Sequence, residues 1–196
     1  MKKPTGNRKS EIVQSALDLT EVSGVGMLST TAIAGMIGIS QPAIFRHFPT
    51  KAALWQGVAN YLVDEMTARW SEALGQALPP SDRLLALAES QLTFIALHPA
   101  VLDIVFSRQL HSDNPAVKAD FQRLMAALFA HFEALVIEAA PDLPRDTARD
   151  TALVIGGTIQ ATALRWSLNT KGFDLVAEGQ RLIARQMALL DMGARK

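Results

Sequence analysis

The sequence contains no cysteine. Disulfide frameworks, thiolate metal sites and cysteine nucleophiles are therefore excluded. It is also poor in charge. Lys and Arg together number 19, as do Asp and Glu, and charged residues make up 19% of the 196. A net charge of zero excludes a uniformly basic nucleic-acid coat and a highly charged disordered chain. Long apolar runs are missing too. The longest uncharged stretch, Val22 to Phe45, is rich in Ser, Thr and Gly and holds Gln41 and Pro42. That is too polar for a membrane-spanning helix. The basic start MKKPTGNRKSE leads into IVQSALDLTEVSG, which Gln14, Asp18 and Glu21 interrupt, so no secretory signal core forms. The expectation is a soluble, cytoplasmic protein.

Catalytic signatures are absent as well. There is no HExxH, no GxSxG, no phosphate loop and no clustered carboxylate pair, which argues against an enzyme. His98, His111 and His131 stand 13 and 20 residues apart with no carboxylate at a ligand spacing. No metal site or cofactor is expected from them.

What the sequence does have is apolar content, at 49%. Such a chain must bury most of it, internally or against a partner. Nearly all of it reads as helix, because Val, Ile and Thr never alternate convincingly between hairpin turns. Breaks fall at Gly24-Val25-Gly26, Gly38, Pro49, Pro79-Pro80, His98-Pro99, Asp113 to Pro115, Pro141 to Pro144 and Asn169 to Gly172. They delimit about nine helices, an all-α fold. The clearest helix spans about residues 115 to 140. Its stripe is Val117, Phe121, Leu124, Met125, Leu128, Phe132, Leu135, Val136 and Ala139. In the last segment Leu175-Val176, Leu182-Ile183 and Leu189-Leu190 recur every seven residues. That stripe suits packing within one bundle or against a second subunit, and both readings stand.

Charge is unevenly spread. Residues 1 to 51 carry six basic groups (Lys2, Lys3, Arg8, Lys9, Arg46, Lys51) against Glu11, Asp18 and Glu21. A basic head on an acidic body suits contact with a polyanion. The head also holds a helix, a tight turn and a second helix. Ser29 or Thr30 can cap a helix whose inner face is Ile33, Met36 and Ile37, and small Ala34 permits a close crossing. Gly38 suits the positive φ of a helix C-terminus. Ser40 opens the next helix, where Pro42 needs no amide donor, so the Ser40 cap should bond the Ala43 amide. Ile44 returns to the core, with Phe48, Ile33, Ile37 and Leu54. This is helix-turn-helix spacing, though an ordinary αα-hairpin shares it.

The stretch TTAIAGMIGISQPAIFRHFPTKAAL, Thr30 to Leu54, resembles the DNA-binding signature of TetR-type transcriptional regulators. The matching residues are Thr30-Thr31, Ile33-Ala34, Gly38-Ile39-Ser40, Phe45, His47-Phe48 and Lys51, with Arg8, Ile12 and Ala16 matching the preceding helix. The resemblance covers about residues 8 to 55. Beyond it, Thr162 to Trp166 is like a stretch of the family's penultimate helix. The resemblance implies a head over residues 1–53 and a helical ligand-binding and dimerisation body over 54–196. It implies a homodimeric repressor on a palindromic operator, responsive to a small hydrophobic effector. A factor of the same fold that answers a protein partner, or acts constitutively, is the alternative.

The expected DNA contacts are Thr30, Thr31, Ser40, Gln41, Pro42, Ala43, Phe45, Arg46, His47 and Lys51. Gln41 can bond adenine N6 and N7 bidentately, and Pro42 and Ala43 can meet thymine methyls. Arg46 is a guanine reader or a phosphate clamp. By the resemblance, Thr30, Thr31, His47 and Lys51 hold phosphates. The family usually has Tyr at the position of Phe45, so one phosphate hydrogen bond is lost, and neighbouring Arg46 is a substitute source. Candidate effector-lining residues are Tyr61, Phe94, Phe106, Met125 and Gln160, with plain core packing as the alternative for each. Gly156-Gly157, inside an otherwise helical 145 to 168 segment, suggests close approach of a partner helix. The expected dimer interface is Gly156, Gly157, Leu182 and Leu189.

Overall fold

The structure, a computed structural model, describes residues 8–193. Among these residues there are ten α-helices, one 3-10 turn and no strand. The helices are α1 (Arg8–Ser23), α2 (Thr30–Ile37), α3 (Gln41–Phe45), α4 (Lys51–Leu74), α5 (Pro80–Leu97), α6 (Ala100–Phe106), α7 (Arg108–Asp113), α8 (Pro115–Ala139), α9 (Arg145–Leu168) and α10 (Leu175–Gly193). Lys2 and Lys3 of the basic excess lie outside the described residues, as does the side chain of Leu190.

The helix breaks follow from local chemistry. The Gly24-Val25-Gly26 region forms a 3-10 turn, Val25–Met27. Ser29 caps α2 by accepting the Ala32 amide at 3.4 Å. Gly38 ends α2 with φ 68°, the left-handed conformation that a side chain would strain. Ser107 splits the segment read as one helix after His98-Pro99 into α6 and α7. Its extended backbone ends α6, and its hydroxyl accepts the Leu110 amide at 3.1 Å to start α7. This adds the helix that the breaks alone did not predict.

The chain forms two compact units. One comprises the residues up to Asp64 together with His98–Gln122, and the other comprises Glu65–Leu97 with the residues from Arg123 onward. Residue 53, where the sequence suggested a boundary, lies inside the continuous helix α4. In the first unit α1 packs on α2 and on α6. Its core holds Ile12, Ala16, Ile33, Ile44, Leu54, Val58 and Ile104, all at 1% exposure or less. In the second unit α10 packs on α5 and α9. Its core includes Phe94, Leu87, Leu92, Leu128, Phe132 and Ile183. Of the α8 stripe, Val117, Phe121, Leu124, Leu128, Phe132, Leu135 and Val136 are buried, Met125 is half-buried and Ala139 is exposed. Among the described residues no single helix is long and apolar enough to cross a membrane.

Candidate nucleic-acid interface

The turn between α2 and α3 is held by its own backbone. Ile39 N–H donates to Ala34 O at 3.0 Å, and Ala43 N–H to Ser40 O at 2.9 Å. The Ser40 side chain makes no capping bond. The expectation that its hydroxyl takes the Ala43 amide is thus corrected, because the Ser40 carbonyl already occupies that donor. Ile44, at 0% exposure, and Phe48, at 7%, anchor α3 from below. A Cβ at Gly57 would lie 2.5 Å from the Phe48 ring, so bare Gly57 lets Phe48 seat on α4. The α-helix ends at Phe45. Arg46 keeps helical angles, and the amides of His47 and Phe48 both donate to Ile44 O. α3 therefore presents little more than one turn.

The outward residues are those a groove would need. Thr31, Ser40, Gln41, Pro42, Phe45, Arg46 and Lys51 are exposed, and Thr30, Ala43 and His47 are half-buried. Phe45 is 41% exposed, so its ring lies at the surface and not in the core. Arg46 and Lys51 carry no acidic partner among the described residues, which leaves both cations available to phosphate. Arg8, by contrast, is paired with Glu11 at 2.5 Å. Two features escaped the sequence reading. Thr50 caps α4, its hydroxyl accepting the Ala53 amide at 3.0 Å. The signal was available, since a Thr before an apolar helix is a good cap. Gln41 Nε2 donates to Thr30 Oγ1 at 2.9 Å, joining the first residues of α3 and α2 across 11 positions. No local spacing rule announces that bond.

The second unit offers a different surface. The inner stripe of α9 includes Ala148, Ala152, Ile155, Ile159, Ala163 and Trp166. A second apolar stripe on the same helix faces outward: Val154, Gly157, Ala161, Leu164 and Leu168, with Leu153 beside it. Their spacing alternates between three and four residues, a helix face that nothing among the described residues covers. Leu168 is 77% exposed and Val154 54%. An open cleft of about 320 Å³ between α9 and α10 adjoins this face and is bordered by Thr151, Val154, Ile155, Met187 and Leu189. Leu189 is exposed and Leu182 half-buried, while Leu175 and Ile183 turn inward, so the seven-residue stripe of α10 serves the core and the surface at once. Glu178 ties the start of α10 to α9. Hydrogen bonds from Arg181 at 3.0 Å and Arg165 at 2.7 Å hold its carboxyl down at about 2.

Gly156 needs a different explanation from the one its sequence suggested. It is buried, and a Cβ there would overlap the Phe129 ring of α8 in the same chain. Its bare backbone admits an internal side chain, not a partner helix. Gly157 is exposed with nothing within 4 Å of its Cβ position.

The candidate effector residues fall in both units. Tyr61 and Phe106 belong to the first unit, and Phe94, Met125 and Gln160 to the second. Tyr61 is half-buried and meets His98 edge to face, with ring centroids 5.9 Å apart. Phe106 is 56% exposed at the end of α6, and Phe94 is 0% exposed. Met125 and Gln160 are half-buried. A polar cleft of about 260 Å³ in the first unit is bordered by Lys51, Trp55, Gln109 and Asp113. Another of about 480 Å³ runs between α4 and α5 in the second. None of the five residues borders these clefts or the α9–α10 cleft. No group of three or more His, Asp or Glu suited to a metal ion occurs among the described residues.

A sequence model of the family described as "Bacterial regulatory proteins, tetR family" matches residues 12–58. The nucleoid occlusion factor SlmA of Shewanella halifaxensis is 23% identical over 135 residues, spanning 69% of this chain and 68% of that protein. A transcriptional-regulator structure from Pseudomonas aeruginosa PAO1 superposes with a TM-score of 0.79 at 18% identity, covering 98% of this chain and 94% of the other. A TetR-like transcriptional regulator from Rhodococcus sp. RHA1 gives 0.77 at 19% identity, with 95% and 99% covered.

Proposed function

We propose that this chain, a TetR-type DNA-binding transcriptional regulator by its head and its fold, acts as a homodimeric repressor on a two-fold symmetric operator. One observation carries the reading. An exposed turn presents Gln41, Arg46 and Lys51 without acidic partners, on a scaffold anchored by Ile44 and Phe48. Gln41, Pro42 and Ala43 enter the major groove and meet base edges and methyls. Thr30, Thr31, His47 and Lys51 take phosphates, and Ser40 and Phe45 border the same strand. Arg46 stands beside Phe45, where the family usually supplies a tyrosine hydroxyl, and makes good that phosphate bond.

So short a helix reads few base pairs, and a second head adds the missing affinity. The outer stripe of α9, with Leu182 and Leu189 of α10, is the face that pairs two chains. It is apolar, regular and uncovered by the described residues, and Gly157 and Ala161 at its centre permit close approach. A small hydrophobic effector bound in the body would shift the population between head spacings. No catalytic step, metal or cofactor takes part, and the protein works in the cytoplasm. A second reading draws on the relative named a nucleoid occlusion factor: a DNA-binding factor of this fold that answers a protein partner or acts constitutively.

Selection from random duplex DNA at two salt concentrations tests the proposal. A two-fold symmetric sequence should be enriched, and release by apolar compounds then finds the effector. Binding of all duplexes alike, lost at moderate salt, would mean phosphate contact only and would overturn it.

A further inference from the structure

We propose that Thr30 sets the base preference of the recognition helix by positioning Gln41, a role that rests on the DNA-binding reading above. The observation is the bond from Gln41 Nε2 to Thr30 Oγ1 at 2.9 Å. It links the first residue of α3 to the first residue of α2.

The hydrogen-bonding capacity of the two groups makes this more than a surface contact. A threonine hydroxyl has one proton and two lone pairs. One lone pair here receives Gln41, so the proton remains free for a phosphate oxygen. A glutamine amide has two N–H donors and one acceptor oxygen. One donor is spent on Thr30. With the N–H that points away from Oε1 given to Thr30, the other N–H and Oε1 remain side by side in an amide plane whose rotation the bond restricts. That donor–acceptor pair matches adenine, which offers N7 as acceptor and N6–H as donor on its major-groove edge. Guanine presents two acceptors there and leaves Oε1 without a donor.

A phosphate that takes the Thr30 proton also makes Oγ1 a better acceptor, because linked hydrogen bonds polarise one another. Backbone contact and base reading are thereby coupled. The strand position that satisfies Thr30 fixes the plane in which Gln41 reads. Without the hydroxyl, Gln41 keeps its length but loses its orientation and accepts other bases more readily.

The test is competition binding on duplexes that vary the one base pair at which Gln41→Ala relaxes preference. The wild type should favour adenine there by about tenfold or more. Thr30→Val, which keeps the shape and removes the hydroxyl, should weaken binding to every duplex and cut that preference to roughly two- or threefold. Thr30→Ser should restore it. In the Gln41→Ala background, Thr30→Val should lower affinity without changing preference further. Thr30→Ala gives the same reading where valine disturbs the helix start, as circular dichroism would reveal. An equal loss on all duplexes, with the adenine preference intact, would overturn the proposal and leave Thr30 a plain phosphate contact. A wild type that prefers no base at any position would instead overturn the DNA-reading itself, and this proposal with it.

Discussion

Around the α2–α3 turn the exposed residues include Gln41, Arg46 and Lys51, each with donors that no acidic group among the described residues takes up. Along the outer side of α9 they are Val154, Leu164 and Leu168, with Gly157 and Ala161 between them. Both regions rest on well-filled cores, under Ile44 and Phe48 in one and Ile155 and Trp166 in the other. The difference lies in what each surface loses in water. Cations and amides are well solvated alone and bind only where a partner replaces water with equal bonds. Apolar side chains are poorly solvated and gain by any close-fitting cover. The first surface suits a polyanion with base edges. The second suits an apolar face of the same kind, and a second copy of α9 is such a face.

Substitutions can break that contrast. Gly157→Arg places a charge on the outer stripe without touching the protomer's interior. It should leave the helical spectrum unchanged and yield monomers by sedimentation. Affinity for a two-half-site duplex should fall by about a hundredfold or more, since linked binding is lost. A dimer of undiminished affinity would remove α9 from the interface. The neighbouring Gly156→Ala should do the reverse. Its Cβ would overlap the Phe129 ring, so the protomer should lose roughly 1–3 kcal/mol in a denaturant titration. Unchanged stability would mean that Phe129 has room to turn away.

On the other surface, Arg46→Ala should cost about 1–3 kcal/mol of binding. Position-specific loss would make Arg46 a guanine reader, and uniform loss the phosphate clamp that replaces the missing tyrosine hydroxyl. Lys51→Ala should lower the slope of log affinity against log salt by about one unit. The same slope in the variant would strike Lys51 from the phosphate contacts. The smallest effect concerns Glu178. Its carboxyl is held at about 2 in the folded chain, below the ordinary 4.5, by Arg181 and Arg165. The stabilisation is therefore present above the ordinary value and fades as pH falls through about 2. Glu178→Gln should melt slightly lower than wild type at neutral pH, and the gap should close as pH falls from the ordinary value through about 2. A difference that persisted at the acid end would point to packing instead.

The head was legible because its chemistry is local. Ser29 caps three residues ahead, Gly38 takes the left-handed angle that only glycine adopts cheaply, and Ile33 and Ile44 face inward as their spacing requires. Where the reading slipped, a competitor had settled the matter within the backbone. The Ser40 carbonyl takes the amide expected to reach its hydroxyl, and the Ser107 cap breaks a run that no Gly or Pro marks. At the α9–α10 turn, Gly172 signals the break, yet the left-handed residues are Thr170 and Lys171, at φ 48° and 60°. The Lys171 ammonium lies 5.6 Å from the Trp166 ring, a local contact folded back across the end of α9. The body was less legible because its determinants are long-range. Gly156 looked like an interface residue until Phe129 was seen beside it. The outer stripe of α9 was readable in principle, but its residues interleave with an equally apolar inner stripe. Without knowing which side is covered, the two cannot be told apart.

The link between the two surfaces can be tested in one titration. Two copies of the enriched half-site are placed at the selected spacing, and then with roughly five extra base pairs between them, about half a helical turn. A dimer joined through α9 and α10 cannot place both heads on opposite sides of the duplex, so affinity should fall by at least tenfold to that of a single half-site. Equal affinity at both spacings would mean that each head binds alone, and would contradict the account.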